Sequence, residues 1–120
     1  RGPRARLSLK IIEEFFPLLE KKRWKKAKSI LKQVTQKKDV DEWTKGYFHA
    51  LNGMVVSLKM SDVSPKPYIV RLKQFSNKKL QEVKKEFNDF SNLLDGQREF
   101  DAAYFQAWED FTRYMIQSDD

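Results

Sequence analysis

The chain has 120 residues, of which 40% are hydrophobic, and it carries a formal net charge of +7. Such a length fits one hydrophobic core, and this apolar content excludes a chain that is disordered throughout. The absence of cysteine excludes disulfides, thiolate nucleophiles and cysteine-ligated zinc. The longest uncharged run, residues 46–58, is too short to cross a bilayer. Together these features favour a cytoplasmic protein.

Residues 1–6 read RGPRAR and are predicted to form an extended basic arm. Gly2 and Pro3 oppose a helix, and no apolar residue anchors the segment. It has neither an initiator Met nor the apolar run of a signal peptide, an opening that fits a trimmed or partial chain.

The first predicted helix follows this arm, with Ser8 as its N-cap and its end near Glu20. Its apolar residues recur at the spacing of one helix face, at Leu9, Ile12, Phe16 and Leu19. Pro17 lies within this pattern. It is expected to kink or divide the helix, because its ring removes a backbone donor and clashes with the preceding turn.

The second predicted helix runs from about Arg23 to Lys37 and carries the densest positive charge of the chain. Its apolar stripe consists of Trp24, Ala27, Leu31 and Val34. Nine Lys or Arg and no acidic residue lie between Lys21 and Lys38, and the lysines fall outside the stripe. A tryptophan among lysines also suits base stacking, but the phase of Trp24 within the stripe favours a place in the core.

The third predicted helix begins after an N-cap at Asp39 or Asp41 and runs to about Leu58. Small residues form one stripe along it, at Gly46, Ala50, Gly53 and Ser57. Glycine inside a helix costs about 0.5–1 kcal/mol relative to alanine, so this stripe predicts the close approach of another backbone. We expect this helix to be the central and most buried one.

A polar, proline-containing linker at residues 61–67 separates these helices from an aromatic-rich helical hairpin over residues 68–117. One helix of the hairpin begins after a break near Ser76, and its stripe is Leu80, Val83, Phe87, Phe90 and Leu94. The pair Asp95-Gly96 is typical of a helix end, and the last helix follows over about 97–117. So short a turn predicts antiparallel packing.

The sequence therefore predicts an all-α fold, because no window alternates with the two-residue period of a strand. We expect a single compact domain of five or six helices arranged as antiparallel hairpins, without a β-sheet. Residues 8–60 form its basic half, and residues 68–117 pack against that half.

Within the basic half, residues 11–34 resemble a tetratricopeptide-type helical hairpin. The match lies in the second helix, where the family's aromatic, small, large and small positions are occupied by Trp24, Ala27, Leu31 and Val34. Lys22 stands where the family has a turn glycine, and no second repeat follows at the family's period of about 34 residues. The resemblance implies paired helices and the binding of a protein partner.

The sequence offers little for catalysis. His49 is the only histidine, and neither Lys45 nor Gly46 supplies the Glu of a helical metal site or the Arg of small helical nuclease-type domains. The acidic pairs Glu13–Glu14 and Glu109–Asp110 are interpreted as surface residues. We expect no enzyme, no cofactor and no metal, with a nuclease-like enzyme around His49 as a distant alternative.

Positive charge is concentrated near the N-terminus: residues 1–38 carry 13 basic and three acidic side chains, whereas residues 39–120 carry 11 and 14. Such asymmetry predicts a face that meets a polyanion; a merely solvated surface is the alternative.

The expected function is a non-catalytic adaptor or complex subunit that docks this face on a protein partner or polyanion. The alternative is a dedicated RNA- or DNA-binding protein that contacts mainly phosphates, because Lys outnumbers Arg. The predicted contact residues are Arg4, Arg6, Lys21, Lys22, Arg23, Lys25, Lys26, Lys28 and Lys32.

Overall fold

Helices account for every regular element of the computed structural model, which describes residues 3–36, 40–60, 62, 64 and 66–118, with the backbone alone at residues 3, 5, 34 and 35. The elements are α1 (Pro3–Lys10), a π-helical segment (Ile11–Phe15), α2 (Phe16–Glu20), α3 (Trp24–Thr35), α4 (Glu42–Lys59), α5 (Tyr68–Leu72), α6 (Asn77–Leu94) and α7 (Glu99–Ser118). The described residues contain no strand, so the all-α prediction is confirmed.

The longest helices pack around α7, whose most extensive contacts are with α6 on one side and α4 on the other. The radius of gyration is 13.9 Å, close to the roughly 14 Å expected for a compact domain of this length. Because α1, the π-helical segment and α2 follow one another without a break, they form one rod. The described chain then has six helices in one compact globule, as predicted.

The N-terminal rod begins earlier than the sequence suggested. The predicted arm over residues 1–6 and the predicted N-cap at Ser8 are wrong, because α1 already begins at Pro3; residues 1 and 2 lie outside the described part. Proline is well suited to the first turn of a helix, where its missing N–H has no partner to lose. A contact that the local sequence does not show also holds this turn: Arg4 bonds to Glu99 on α7 at 2.6 Å.

The predicted disturbance at Pro17 takes the form of a π-helical turn just before the proline. A π turn contains more residues than an α turn and therefore rotates the following side chains around the helix axis. The result is that Ile11 and Phe15 are buried, whereas Leu9, predicted to lie on the apolar face, is 56% exposed. The prediction for Leu9 assumed a strict α-helical period and therefore did not include this rotation.

The turn between α2 and α3 is a Schellman motif built around Lys22. The Lys22 N–H donates to the carbonyl of Leu19 at 3.1 Å, and the Arg23 N–H donates to the carbonyl of Leu18 at 2.9 Å. Lys22 has φ of 58°, the left-handed conformation in which a Cβ atom is crowded. The position where the tetratricopeptide resemblance has glycine thus adopts a glycine-like backbone with a lysine.

Replacing Lys22 with glycine is expected to raise the free energy of unfolding by about 1 kcal/mol, because the left-handed backbone is no longer strained by a Cβ atom. Urea denaturation measures the change. Lys22→Ala is the matched control, since it removes the same charge but keeps Cβ and should give no such gain. Equal effects of the two variants would show that charge, and not backbone strain, controls this turn.

The predicted cap of α4 is confirmed, and a further cap lies at the break predicted near Ser76. Asp41 caps α4 and accepts a hydrogen bond from the Thr44 N–H at 2.8 Å, an interaction that holds the Asp41 pKa below its ordinary value. Asp39, the other candidate, lies outside the described residues. Ser76 caps α6, with its Oγ accepting from the Lys79 N–H at 3.2 Å. Gly96, with φ of 85°, lies just after the end of α6, as predicted.

The small-residue stripe of α4 has two different environments. A Cβ atom on Gly46 would lie 2.0 Å from the carbonyl oxygen of Phe100 on α7, so another backbone does approach there. Around Gly53 nothing lies within 4 Å of such an atom, and the predicted close approach is wrong at that end. Of these two glycines, only Gly46 therefore lies against the backbone of another helix.

The apolar stripe of α6 holds only through its first half. Leu80 and Val83 are buried, but Phe90 is 49% exposed, and its neighbour Ser91 is buried instead. Ser91 Oγ donates to the carbonyl of Ala102 at 2.8 Å. This bond to the α7 backbone allows a polar side chain to occupy the buried side of α6, while the half-exposed Phe90 ring lies 5.2 Å from the ring of Phe105.

Candidate polyanion-binding face

The basic face comprises the exposed cations of α3 and the turn that precedes it. α3 packs against the core through its apolar stripe: Ala27 and Leu31 are buried, and Trp24 is half-buried. The side chain of Val34, the last stripe position, lies outside the described part. The exposed cations of α3 and of the preceding turn form the basic face, which consists of Lys21, Lys22, Arg23, Lys25, Lys26, Lys28 and Lys32.

Two predicted contact residues lie on α1 and not on the basic face. Arg6 is exposed. Arg4 is committed to contacts within the chain: it forms ion pairs with Glu99 at 2.6 Å and Asp95 at 3.5 Å, and its guanidinium lies 4.8 Å from the centre of the Trp43 ring. Arg4 therefore ties α1 to α7 and α4, and its assignment to a phosphate contact is not supported by this geometry.

A lysine from α4 extends the basic face. Lys59 is exposed, and its pKa is lowered because its amine hydrogen-bonds with Lys28 and is repelled by that residue's charge. Two lysines from different helices thus share one small region of surface. An anion bound between them would relieve this repulsion. Nothing in the local sequence links Lys28 to Lys59, because the pairing depends on how α3 and α4 pack.

The basic face borders a groove between α3 and α4, which we call the α3–α4 groove. Its volume is about 610 Å³, and its lining includes Lys28, Lys32, Lys45, Phe48, His49 and Phe100. None of the residues that line it is acidic. Lys45 also pairs with Glu42, three residues earlier on α4, at 3.2 Å. The groove therefore combines three ammonium groups with aromatic walls.

His49 stands at the edge of this groove with its ring exposed. Its ring centre lies 5.5 Å from that of Phe100 and 6.1 Å from that of Tyr104, both on α7. On the other side of this ring cluster lies a second cavity of about 510 Å³, whose lining includes His49, Arg98, Phe100 and Tyr104. We call His49, Phe100 and Tyr104 the ring platform.

No family model, curated protein or solved structure matches this chain. The resemblance of residues 11–34 to a tetratricopeptide hairpin thus remains a likeness of one hairpin. The function has to be inferred from the groove and the face themselves.

A larger cleft, of about 700 Å³, lies on another side of the molecule between α1, α4, α6 and α7. Its two arginines already have partners within the chain: Arg4 pairs with Glu99, and Arg113 pairs with Glu109 at 2.8 Å. Glu13 and Asp95 also line this cleft, whereas no acidic residue lines the α3–α4 groove, so the cleft is the weaker candidate for binding an anion.

Asp110 lies at the centre of a buried polar cluster beside that cleft. Tyr47 Oη donates to Asp110 Oδ2 at 2.5 Å, and Gln106 Nε2 donates to Asp110 Oδ1 at 3.0 Å. Burial raises the pKa of Asp110, although the hydrogen bonds from Tyr47, Ser8 and Gln106 oppose that change. Among the described residues, no buried side-chain polar atom lacks a partner. The cluster is thus explained by structure alone.

The expectation that Glu109 and Asp110 lie on the surface is wrong, because they are 2% and 0% exposed. Neighbouring residues point in different directions around a helix, but α7 is covered on two sides. Asp110 meets Tyr47 of α4, whereas Glu109 accepts a hydrogen bond from Asn88 of α6 at 3.1 Å. Each carboxylate is therefore buried against a different neighbour.

The described residues contain no group of three His, Asp or Glu side chains placed to hold a metal ion. Nor does any helix in the described ranges combine the length and apolar character needed to cross a membrane.

Proposed function

We propose that this protein is a non-catalytic binding module, a subunit or adaptor that docks its basic face and the α3–α4 groove on a polyanion. The α3–α4 groove carries this proposal: Lys28, Lys32 and Lys45 converge on one concavity that no carboxylate lines. Cations gathered in a concave, partly apolar site attract an anion more strongly than the same cations scattered over a convex surface.

The type of cation indicates how the polyanion is held. The chain has 17 Lys and seven Arg, and the groove itself contains lysines and no arginine. Lysine binds phosphate as a point charge, whereas arginine makes the bidentate bonds that read guanine in duplex DNA. We therefore expect contacts to phosphates or carboxylates with little selectivity for sequence.

A protein partner is the second candidate, and the exposed apolar surface of α6 favours it. Phe90 is 49% exposed and Leu93 is 74% exposed, and a partner that covered these two apolar side chains would remove them from water. A pull-down with the purified chain tests this candidate. Recovery of a protein that persists after nuclease treatment and is lost in Leu93→Ser would support it, and recovery unaffected by this change would count against it.

Charge reversal on α3 tests the main proposal, and the chain offers a closely matched control. Lys25 and Lys26 occupy the second and third residues of α3, and Lys78 and Lys79 occupy the same places in α6. All four are exposed. Lys25→Glu/Lys26→Glu and Lys78→Glu/Lys79→Glu change the net charge equally, so only the location of the charge differs.

For a labelled oligonucleotide near 50 mM salt, the α3 variant is expected to bind about tenfold more weakly than wild type. The slope of log K against log salt should become shallower by about 1.5, since two phosphate contacts are lost. The α6 variant should stay near wild type. Fluorescence anisotropy measures both quantities, and equal losses in the two variants would show that only net charge matters and overturn the assignment of the face.

A further inference from the structure

We infer that the α3–α4 groove binds single-stranded nucleic acid, with phosphates on its lysines and an unpaired base on the ring platform. This inference rests on the proposed function and adds the class of polyanion. It is based on the position of the platform: His49 and Phe100 line both the groove with its three lysines and the second cavity beyond it. A strand that follows the lysines therefore meets aromatic rings within the same groove.

The rings are accessible and held in place. His49 is exposed, and Phe100 and Tyr104 are half-exposed. The His49 ring is inclined at 47° to Phe100 and at 39° to Tyr104, so the three rings form an angled surface and not a closed stack. Both α7 rings lie in the first turns of that helix, whose backbone is packed directly against Gly46. The platform is thus supported by a close backbone contact between α4 and α7.

Three lysines lie beside this platform in the groove. Lys28 and Lys32 lie one helical turn apart, about 6 Å along the axis of α3, and Lys45 faces them across the groove. The second cavity is lined by both Arg98 and Asp101, which pair at 2.6 Å, so its charge is balanced and the phosphate contacts are assigned to the groove lysines. Aromatic rings beside a row of cations are the arrangement by which proteins hold single strands, with stacking on every base type and phosphates in a basic channel.

The platform distinguishes a single strand from the other polyanions. The bases of a duplex are paired and stacked on one another, so a side-chain ring cannot stack on them without displacing a base. An acidic peptide offers carboxylates to the lysines but has no base for the rings. Contact with the ring platform should therefore be specific to an unpaired strand, whereas contact with the lysines should be shared by all three.

Two substitutions of His49 separate the contribution of the aromatic ring from the contribution of its nitrogen atoms. His49→Ala removes the ring, and His49→Phe keeps an aromatic ring but removes the nitrogen atoms. Because His49 is exposed, both variants should fold. The probes are a labelled oligothymidylate of about 15 nucleotides, a duplex of the same length and polyglutamate, all titrated by anisotropy or competition near 50 mM salt with the full chain.

The expected result is that wild type binds the single strand more tightly than the duplex or polyglutamate. His49→Ala should lose at least about fivefold affinity for the single strand, and His49→Phe should stay within about twofold of wild type. The salt slope should be the same in all three proteins, since no phosphate contact changes.

Single-strand binding that is unchanged in His49→Ala would overturn the inference and leave the polyanion proposal standing. Equal affinity for polyglutamate would overturn it too and would identify an acidic protein as the partner. If wild type bound none of the probes, the proposed function itself would fail and the inference would fall with it.

Discussion

Gly46→Ala is expected to lower the free energy of unfolding by about 3 kcal/mol. The added methyl carbon would lie 2.0 Å from the carbonyl oxygen and 2.7 Å from the carbonyl carbon of Phe100. These are backbone atoms of α7, so no side chain can rotate away, and the two helices must separate to make room. Overpacking of a tight interface typically costs about 1–3 kcal/mol, and a backbone obstacle places this variant at the upper end.

Gly53→Ala on the same helix is the control. Nothing lies within 4 Å of the Cβ position at Gly53, so alanine there should stabilise α4 by about 0.5–1 kcal/mol through its higher helix propensity. Urea denaturation of both variants measures effects of opposite sign. Two stabilising effects would contradict the packing of α7 on α4, on which the ring platform also depends.

Asp110→Ala is the second large effect expected, a loss of about 3 kcal/mol in the free energy of unfolding. The substitution leaves the buried Tyr47 hydroxyl and the Gln106 amide without their acceptor, at positions now 2.5 Å and 3.0 Å from the carboxylate. A buried donor without a partner costs about 1–3 kcal/mol. Asp110→Asn retains one carbonyl oxygen and should be milder. Equal losses in the two variants would show that hydrogen bonding is not the cause.

The pH dependence of stability in Asp110→Asn tests the direction of the pKa change at the same site. Burial raises the pKa of Asp110 above its ordinary value of 3.8, so the folded state binds a proton more tightly than the unfolded state. The stability contributed by this group is therefore full below pH 3.8 and is lost as pH rises through the raised pKa. Asparagine does not titrate.

The free energy of unfolding of wild type minus that of Asp110→Asn should accordingly fall as pH increases from about 3.8 and then level off. Other groups contribute equally to both proteins, so their contributions cancel in this difference. Asp41 is one such group, and its lowered pKa makes it stabilising at higher pH, opposite to Asp110. Urea denaturation at several pH values measures the difference. A difference that increases with pH would contradict a pKa raised by burial.

Local signals in the sequence predicted the helices well and their surroundings poorly. The cap at Asp41 and the helix breaks near Ser76 and at Gly96 were predicted correctly because they depend on neighbouring residues only. The exposed Phe90 and the buried Glu109 were not, because their burial depends on which helices cover α6 and α7. Polar partners such as Asn88 come from distant parts of the chain.

In the candidate site too, features set by local sequence could be predicted, and features set by the packing of distant helices could not. The cations of α3 could be predicted as exposed, because Ala27 and Leu31 fix the buried side of that helix. The groove could not be predicted, since Lys28, Lys45 and Phe100 lie on three helices that meet only in the folded chain. The early assignment of Arg4 to the polyanion site missed its ion pair with Glu99 for the same reason.

The salt dependence of wild-type binding tests the central claim most directly. Anisotropy titrations with a labelled single-stranded oligonucleotide, repeated between about 50 and 200 mM salt, give the slope of log K against log salt. Four or five phosphate contacts predict a slope of about −3, at about 0.7 per contact for a single strand. Undetectable binding near 50 mM salt, or affinity that does not change with salt, would contradict a basic face that docks on a polyanion.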